Sequence, residues 1–168
     1  MDMLYLKYFQ HQLKFIQFQN YTSANNTYSF VSNQNLVFMK NQIKFYENKL
    51  AYEMDPSDLY DAFENRTDYI AVDARQKFGF DKEHIPTAIN LPYREMTVES
   101  TKHLDKSKIY VCYCDGIGCN ASTKGALKMT ELGFKVKELM GGIEWWKFDG
   151  YATEGTQPAE GSLFKCAC

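Results

Sequence analysis

Short strand-like segments alternate with helical segments along most of this chain, and this order constrains the fold more than any other feature. Strands are predicted at residues 69–72, 88–91, 109–113 and 137–139. Residues 69–72 are apolar and bounded by polar residues, as a strand buried on both faces of a parallel sheet is. The alternation predicts an α/β domain with a parallel sheet and right-handed crossovers, in which ligands bind beyond the carboxyl ends of the strands.

Helical periodicity fills the segments between the strands. From Asn41, apolar residues recur at spacings of three and four, and the pattern stops at Asp55-Pro56. A second helix is predicted to begin there, with Asp55 as its N-cap and Pro56 at its first position. A third helix is predicted to end at Gly133, because apolar residues repeat every three positions at Ala126, Met129 and Leu132.

Composition narrows the class of protein and its partners. The chain has 168 residues, of which 45% are hydrophobic and 24% charged, which predicts an ordinary globular protein with one core. A formal net charge of -2 disfavours a nucleic-acid partner, and no apolar stretch approaches the roughly 18 residues of a membrane span. We therefore expect a cytoplasmic protein that acts on small molecules or thiols and binds neither nucleic acid nor membrane.

The two ends of the chain differ from its middle. Residues 1–38 are rich in Tyr, Phe, Gln and Asn and contain no Gly or Pro, so we treat them as an extension of uncertain structure. Residues 39–155 have the pattern of a folded domain. Residues 156–168 are predicted to be a flexible tail. Its Cys166-Ala-Cys168 sequence either relays sulfur, binds a soft metal such as Cu(I), or is dispensable.

Cys114 directly follows the predicted strand 109–113 and begins a glycine-containing loop that leads into a helix. Backbone N–H groups that curl inward at such a loop would form an anion nest, reinforced by the helix dipole. That environment would lower the pKa of a thiol from its usual value of about 8.5 and make it a nucleophile. The alternative is that Cys114 is a small buried hydrophobe. The loop comprises Cys114, Asp115, Gly116, Ile117, Gly118, Cys119 and Asn120.

The chain's other cysteines and the end of the first predicted strand bear on the same loop. The five cysteines all lie in the last third of the chain and are odd in number, a poor pattern for a disulfide framework. Cys112 is predicted to be core, while Cys119 is either a thiol that resolves a Cys114 persulfide or a packing residue. Asp73 and Arg75 should lie at the same sheet edge as Cys114. They either orient the loop or offer it positive charge, or they form a purely structural salt bridge.

Several motifs, in order, resemble those of the rhodanese-like sulfurtransferases, over roughly residues 49–151. They are Val72-Asp-Ala-Arg75, the run from His84 to Pro92, Tyr113-Cys114, Leu132-Gly-Phe134, and the run from Leu139 to Trp146. The resemblance implies a rhodanese-like α/β fold with a central parallel sheet of about five strands flanked by helices. It also implies structural roles for His84 and for Trp145 and Trp146, the two tryptophans lying in a closing turn.

By this resemblance, Cys114 takes a sulfane sulfur from a donor such as thiosulfate or a thiol persulfide, becomes a persulfide, and passes the sulfur to an acceptor in ping-pong fashion. The acceptor would be a thiol, cyanide or a protein. No metal or organic cofactor is expected, since loop N–H groups would supply the electrostatic stabilisation.

The loop departs from the family pattern in its charge. The family commonly has an arginine five positions after the cysteine, where this chain has Cys119, and the second loop position is Asp115. We therefore expect poor use of the thiosulfate dianion and better use of a persulfide. The missing arginine also disfavours a phosphatase or arsenate reductase, which needs a closing cation. Two alternatives stay open, namely a catalytically silent binding module and a thiol redox protein that uses Cys114 and Cys119.

Overall fold

The computed structural model of the chain describes residues 26–65 and 68–161. The extension predicted at residues 1–38 is therefore described only from residue 26, and Cys166 and Cys168 lie outside the described residues. The chain divides into two compact units, residues 1–44 and residues 45–168. The described part of the first unit is entirely helical, and the second unit contains the sheet and the cysteine loop. The predicted boundaries at residues 39 and 156 stay predictions.

The described residues contain six helices and five strands, joined by turns and loops. The helices are α1 (Asn26–Tyr52), α2 (Pro56–Glu64), α3 (Lys77–Lys82), α4 (Val98–Thr101), α5 (Ala121–Glu131) and α6 (Gly142–Phe148). The strands are β1 (Glu53–Met54), β2 (Tyr69–Asp73), β3 (Ile89–Asn90), β4 (Ile109–Tyr113) and β5 (Lys135–Leu139). Over residues 26–65 and 68–161, no helix combines the length and the hydropathy needed to cross a bilayer.

The five strands form one sheet in the order β1-β5-β4-β2-β3, and every neighbouring pair is parallel. The central strand β4 pairs with β2 on one side and with β5 on the other. This confirms the predicted α/β fold with a five-stranded parallel sheet. All carboxyl ends of the strands therefore meet at one edge, where Cys114 follows β4.

Local signals predicted α2 and β4, but not the short helices α3, α4 and α6. Asp55 caps α2 by accepting a hydrogen bond from the Asp58 N–H at 2.8 Å, and Pro56 is at the start of the helix. Strand β4 has the predicted bounds. The helical prediction from Asn41 was wrong at both ends, because α1 begins at Asn26 and Met54 belongs to β1. Met54 is extended because its carbonyl accepts the Met140 N–H at 2.8 Å, a tertiary pairing that local periodicity does not encode.

Both faces of the sheet are covered, and β4 contributes to both. Val111 and Tyr113 pack with Leu59 and Trp146 on one face. Tyr110 and Cys112 belong to a second buried cluster on the other face, which includes Met129 of α5, Val72 and Phe134. Because side chains alternate along a strand, Cys114 follows on the Cys112 face and points toward α5.

Truncation of Leu59 tests the α2 side of the core. Leu59 is fully buried, so Leu59→Ala should lower the free energy of unfolding by about 2–5 kcal/mol through lost burial and a residual cavity. Urea denaturation followed by circular dichroism measures this. Leu127 is 60% exposed on α5, and Leu127→Ala is the matched control, with an expected change within about 0.5 kcal/mol. Equal effects of the two substitutions would contradict this packing.

Candidate active site

Cys114 lies directly after the central strand, with its side chain turned toward the start of α5. The residue is 1% exposed. Its Sγ lies 3.0 Å from the Cys119 carbonyl oxygen, 3.3 Å from Ser122 Oγ and 3.9 Å from the Gly116 carbonyl oxygen. The thiol is thus enclosed by its own loop and by the first turn of α5.

The predicted lowering of the Cys114 pKa is not what this arrangement produces. Burial raises the pKa of the thiol, and the neighbouring Cys119 thiol raises it further. The Ser122 hydroxyl and backbone N–H act in the opposite direction and do not overcome that increase. In this conformation two loop carbonyls face the sulfur together with the Ser122 N–H, whereas the sequence predicted a nest of inward N–H groups. The resting side chain is a neutral thiol.

The loop between Cys114 and α5 is compact at its base and open at its tip. The Cys119 N–H donates to the Gly116 carbonyl at 3.0 Å and closes a turn. Gly116 is buried against the Glu144 side chain, which occupies the space that a Cβ would need. Four of the other loop residues are exposed and one is half-buried. The exposed ones are Asp115, Ile117, Gly118 and Asn120, and the half-buried one is Cys119. The predicted loop residues therefore form one continuous cover over the thiol.

The Gly141-Gly142 turn holds the base of this loop. Gly142 has a φ of 57°, and a Cβ at this position would collide with the Cys114 carbonyl oxygen. Immediately after it, the Ile143 N–H donates to the Cys114 carbonyl at 3.0 Å and the Glu144 N–H donates to the Asp115 carbonyl at 2.9 Å. Only glycine permits so close an approach, which fixes the loop to the start of α6.

Asp73 and Arg75 lie at the same edge as Cys114, where they form a buried ion pair and contact the loop. Asp73 is fully buried and accepts Arg75 Nε at 2.9 Å and Nη2 at 2.6 Å. Arg75 Nη1 reaches Asp115 Oδ1 at 3.0 Å, so the same guanidinium that forms the buried ion pair also orients the loop. Nη2 further donates to the Glu83 carbonyl at 2.6 Å.

These contacts pair the positive charge of Arg75 with carboxylates of the protein itself. Burial opposes its charge, but the hydrogen bonds and charge of Asp73, with help from Asp115, raise the pKa of the guanidinium. The guanidinium donates to Asp73, Asp115 and the Glu83 carbonyl, and so connects the end of β2 to the loop. We call this set of contacts the Arg75 clamp.

Ser122, Thr123 and Glu138 adjoin the thiol but were not singled out from the sequence. Ser122 Oγ donates to Glu138 Oε1 at 2.8 Å, and Thr123 Oγ1 donates to the same oxygen at 2.7 Å. Glu138 lies near the carboxyl end of β5, in register with Cys112 of β4. The rule that polar groups at the carboxyl ends of neighbouring parallel strands converge could have identified it.

The remaining predicted residues have structural contacts. Cys112 is buried, with its Sγ 3.8 Å from Met129 Sδ, as predicted. The His84 ring stacks on Phe80, and its Nδ1 lies 2.7 Å from the Phe80 carbonyl oxygen. Trp146 is core, but Trp145 is 46% exposed, and both belong to helix α6 and not to the expected closing turn.

Comparison with protein families gives one match, to the rhodanese-like domain, over residues 55–149. The chain belongs to the rhodanese-like domain family. The matched range contains Asp73, Arg75 and the whole cysteine loop. It begins at the α2 N-cap and ends just after α6.

Relatives of this rhodanese-like protein include sulfurtransferases. A thiosulfate sulfurtransferase from Coxiella burnetii is 36% identical over 84 residues, which span 49% of this chain and 75% of the relative. A solved structure of a Bacillus halodurans protein is 40% identical with a TM-score of 0.68, covering 76% of this chain and 94% of that one. A rhodanese-related protein from Thermoplasma volcanium is 27% identical with a TM-score of 0.54, covering 61% and 97%.

Removal of the Arg75 side chain should expose how much the fold depends on this clamp. Arg75→Met leaves the buried Asp73 carboxylate without its cation, and the free energy of unfolding should fall by about 3–5 kcal/mol. The control is Lys77→Met, which breaks an exposed Lys77–Asp81 pair and should cost less than about 0.5 kcal/mol. Urea denaturation measures both variants. A loss no larger than that of the control would refute the clamp.

Proposed function

We propose that this protein is a sulfurtransferase that carries a sulfane sulfur as a persulfide on Cys114. The Cys114 sulfur attacks the outer sulfur of a donor R–S–SH, a new S–S bond forms, the donor S–S bond breaks, and R–SH leaves. An acceptor thiolate or cyanide then attacks the outer sulfur of the Cys114 persulfide and regenerates the thiol. The observation that carries the proposal is the position of Cys114 at the carboxyl end of the central strand, within a family that includes thiosulfate sulfurtransferases.

The burial of Cys114 implies that the loop tip opens when a donor enters. Loop residues Ile117 and Gly118 are exposed, and a Cβ at Gly118 would meet no atom within 4 Å. The base of the loop is held by α6 and by Arg75, so opening would be confined to the tip. Opening would also carry the Cys119 carbonyl away from the sulfur and relieve its repulsion of a persulfide anion.

The charges around the thiol favour a persulfide donor over thiosulfate. Glu138 bonds to Ser122, Glu144 lies against Gly116, and Asp115 is in the loop itself. Arg75 is bonded to Asp73 and Asp115 and does not offset the two glutamates. The thiosulfate dianion would therefore bring two negative charges close to these carboxylates, whereas the reacting group of a thiol-borne persulfide carries at most one. The acceptor would be a thiol, cyanide or a protein thiol.

The test is the intact mass of the reduced full-length protein after incubation with thiosulfate or with glutathione persulfide. One added sulfur atom is expected with glutathione persulfide, much less with thiosulfate, and none in Cys114→Ser. The added sulfur should disappear on treatment with cyanide, which takes sulfane sulfur. If neither donor leaves sulfur on Cys114, the sulfurtransferase proposal fails and the binding-module alternative gains.

A second candidate function, thiol redox chemistry, is supported by the contact between Cys114 and Cys119. The Cys119 carbonyl is 3.0 Å from the Cys114 sulfur, and the two thiols are close enough for Cys119 to raise the pKa of Cys114, although burial contributes most to that increase. Both cysteines are reduced. The Cys119 thiolate could attack Cys114 Sγ of the persulfide, forming a Cys114–Cys119 disulfide and expelling hydrosulfide. A dithiol reductant would then restore both thiols.

Sulfide release distinguishes this step from transfer to an external acceptor. After persulfide loading and removal of excess donor, the wild type should release hydrosulfide without added thiol. Its mass should then lie two hydrogen masses below that of the reduced, unloaded protein, because the disulfide has formed. Cys119→Ser should keep its persulfide, since no resolving thiol remains. A sulfide probe and intact mass follow the two products. A persulfide equally long-lived in both proteins would leave Cys119 with a packing role.

A further inference from the structure

Two close contacts connect Cys114 to Glu138 through the Ser122 hydroxyl, and a third joins the sulfur to its own loop. Cys114 Sγ is 3.0 Å from the Cys119 carbonyl oxygen and 3.3 Å from Ser122 Oγ, and Ser122 Oγ is 2.8 Å from Glu138 Oε1. Ser122 is 4% exposed, so water does not readily replace any of these partners. The contacts form a continuous path from the buried sulfur to a carboxylate on the neighbouring strand.

The path gives a proton a route from the thiol to the carboxylate. The Cys114 S–H can donate to the Cys119 carbonyl or to Ser122 Oγ, and Ser122 Oγ donates to Glu138. A hydroxyl both donates and accepts, whereas an ionised carboxylate only accepts. Once a proton has moved along the path, Glu138 can donate to Ser122 and Ser122 can donate to the sulfur. The two hydrogens of the path are therefore enough for both arrangements.

We propose that Glu138, through the Ser122 hydroxyl, takes up the proton that Cys114 loses when its sulfur attacks. The thiol proton moves to Ser122 Oγ as the Ser122 proton moves to Glu138. The Ser122 hydroxyl then donates to the sulfur and stabilises its negative charge. Ser122 is the group in contact with the reacting atom, and Glu138 is a positioning residue and proton acceptor.

Within the proposed sulfur transfer, on which this inference rests, the protons balance. As Cys114 forms its bond to the outer sulfur, the electron pair of the broken S–S bond passes to the departing thiolate. The proton held on Glu138 is released to that thiolate, which leaves as a thiol. Neither oxidant nor reductant is needed.

The setting of Glu138 suits this role. Thr123 Oγ1 keeps the carboxylate in place at 2.7 Å while Ser122 reverses its hydrogen bond. Glu138 also lines an open groove of about 750 Å³ with Thr123 and Lys137, which gives the proton an exit to solvent. Other ionisable groups near the path lie on each neighbouring element. They are Cys119 and Asp115 in the loop, Glu144 of α6 against Gly116, Cys112 on β4, and Glu53, the register partner of Glu138 on β1, which pairs with Lys49.

The experiment is the rate of Cys114 alkylation by iodoacetamide in the folded full-length protein, measured by peptide mass from about pH 5.5 to about pH 9.5. In the wild type, the rate should fall with decreasing pH more shallowly than the thiolate fraction, because the Glu138 carboxylate assists the neutral thiol. In Glu138→Gln, the rate should follow the thiolate fraction and be about tenfold or more lower at neutral pH.

Two further variants make the result specific. Ser122→Ala should reproduce the Glu138→Gln profile, and the double variant should be no slower than either, since both residues serve one step. If circular dichroism shows that Glu138→Gln is not folded, Ser122→Ala alone tests the proposed proton path. Glu53→Gln removes a carboxylate that pairs in register with Glu138 without touching Ser122, and its rate should stay within about twofold of the wild type.

A Glu138→Gln rate equal to or above that of the wild type at neutral pH would overturn the proposal. The carboxylate would then only oppose ionisation of Cys114 through its charge. Because iodoacetamide requires no sulfur donor, this outcome is separate from the persulfide test. If the protein acquires no sulfur but shows the predicted alkylation profiles, the proposed proton path is supported and only the proposed sulfur transfer is rejected.

Discussion

A buried carboxylate at the end of β2 sets the conditions for the rest of the site. Asp73 is fully buried, and a charge in that position requires close partners to offset its desolvation. Arg75 supplies them and, because its guanidinium has donors to spare, extends the same cation to Asp115 of the loop and to the Glu83 carbonyl. The Arg75 side chain therefore connects strand β2, the cysteine loop and the segment after α3. These contacts hold the base of the loop in place.

That arrangement has a consequence for the chemistry of Cys114. Arg75 is already bonded to Asp73 and Asp115, so among the described residues the thiol contacts two carbonyl oxygens and the Ser122 hydroxyl and no cation. Burial raises its pKa. A neutral resting thiol resists oxidation but needs a base when it reacts. The Ser122–Glu138 pair adjoins the sulfur and meets that need. Removal of the proton at the moment of attack takes the place of a permanently ionised thiolate.

The elements that local pattern encodes were predictable, and those that depend on pairing were not. Strand β4 and the Asp55 cap follow from apolar runs and capping chemistry. Strand β1 was assigned to a helix because Met54 fits the helical period and becomes extended only by bonding to Met140. The pKa of Cys114 was predicted in the wrong direction, because burial of the thiol raises the pKa more than the Ser122 hydroxyl and N–H lower it, and the loop sequence does not show how deeply the thiol is enclosed.

The sequence by itself determined the alternation of strands and helices, the parallel sheet, the place of Cys114 after its central strand, and the Asp73–Arg75 pair two residues apart. Only the tertiary structure decided that Arg75 also holds Asp115, and that Ser122 and Glu138 connect to the sulfur. The reason is register. Glu138 faces Ser122 because β5 pairs with β4 so that Glu138 lies opposite Cys112. A shift of one residue would turn it to the other face of the sheet, and periodicity within one segment carries no information about that pairing.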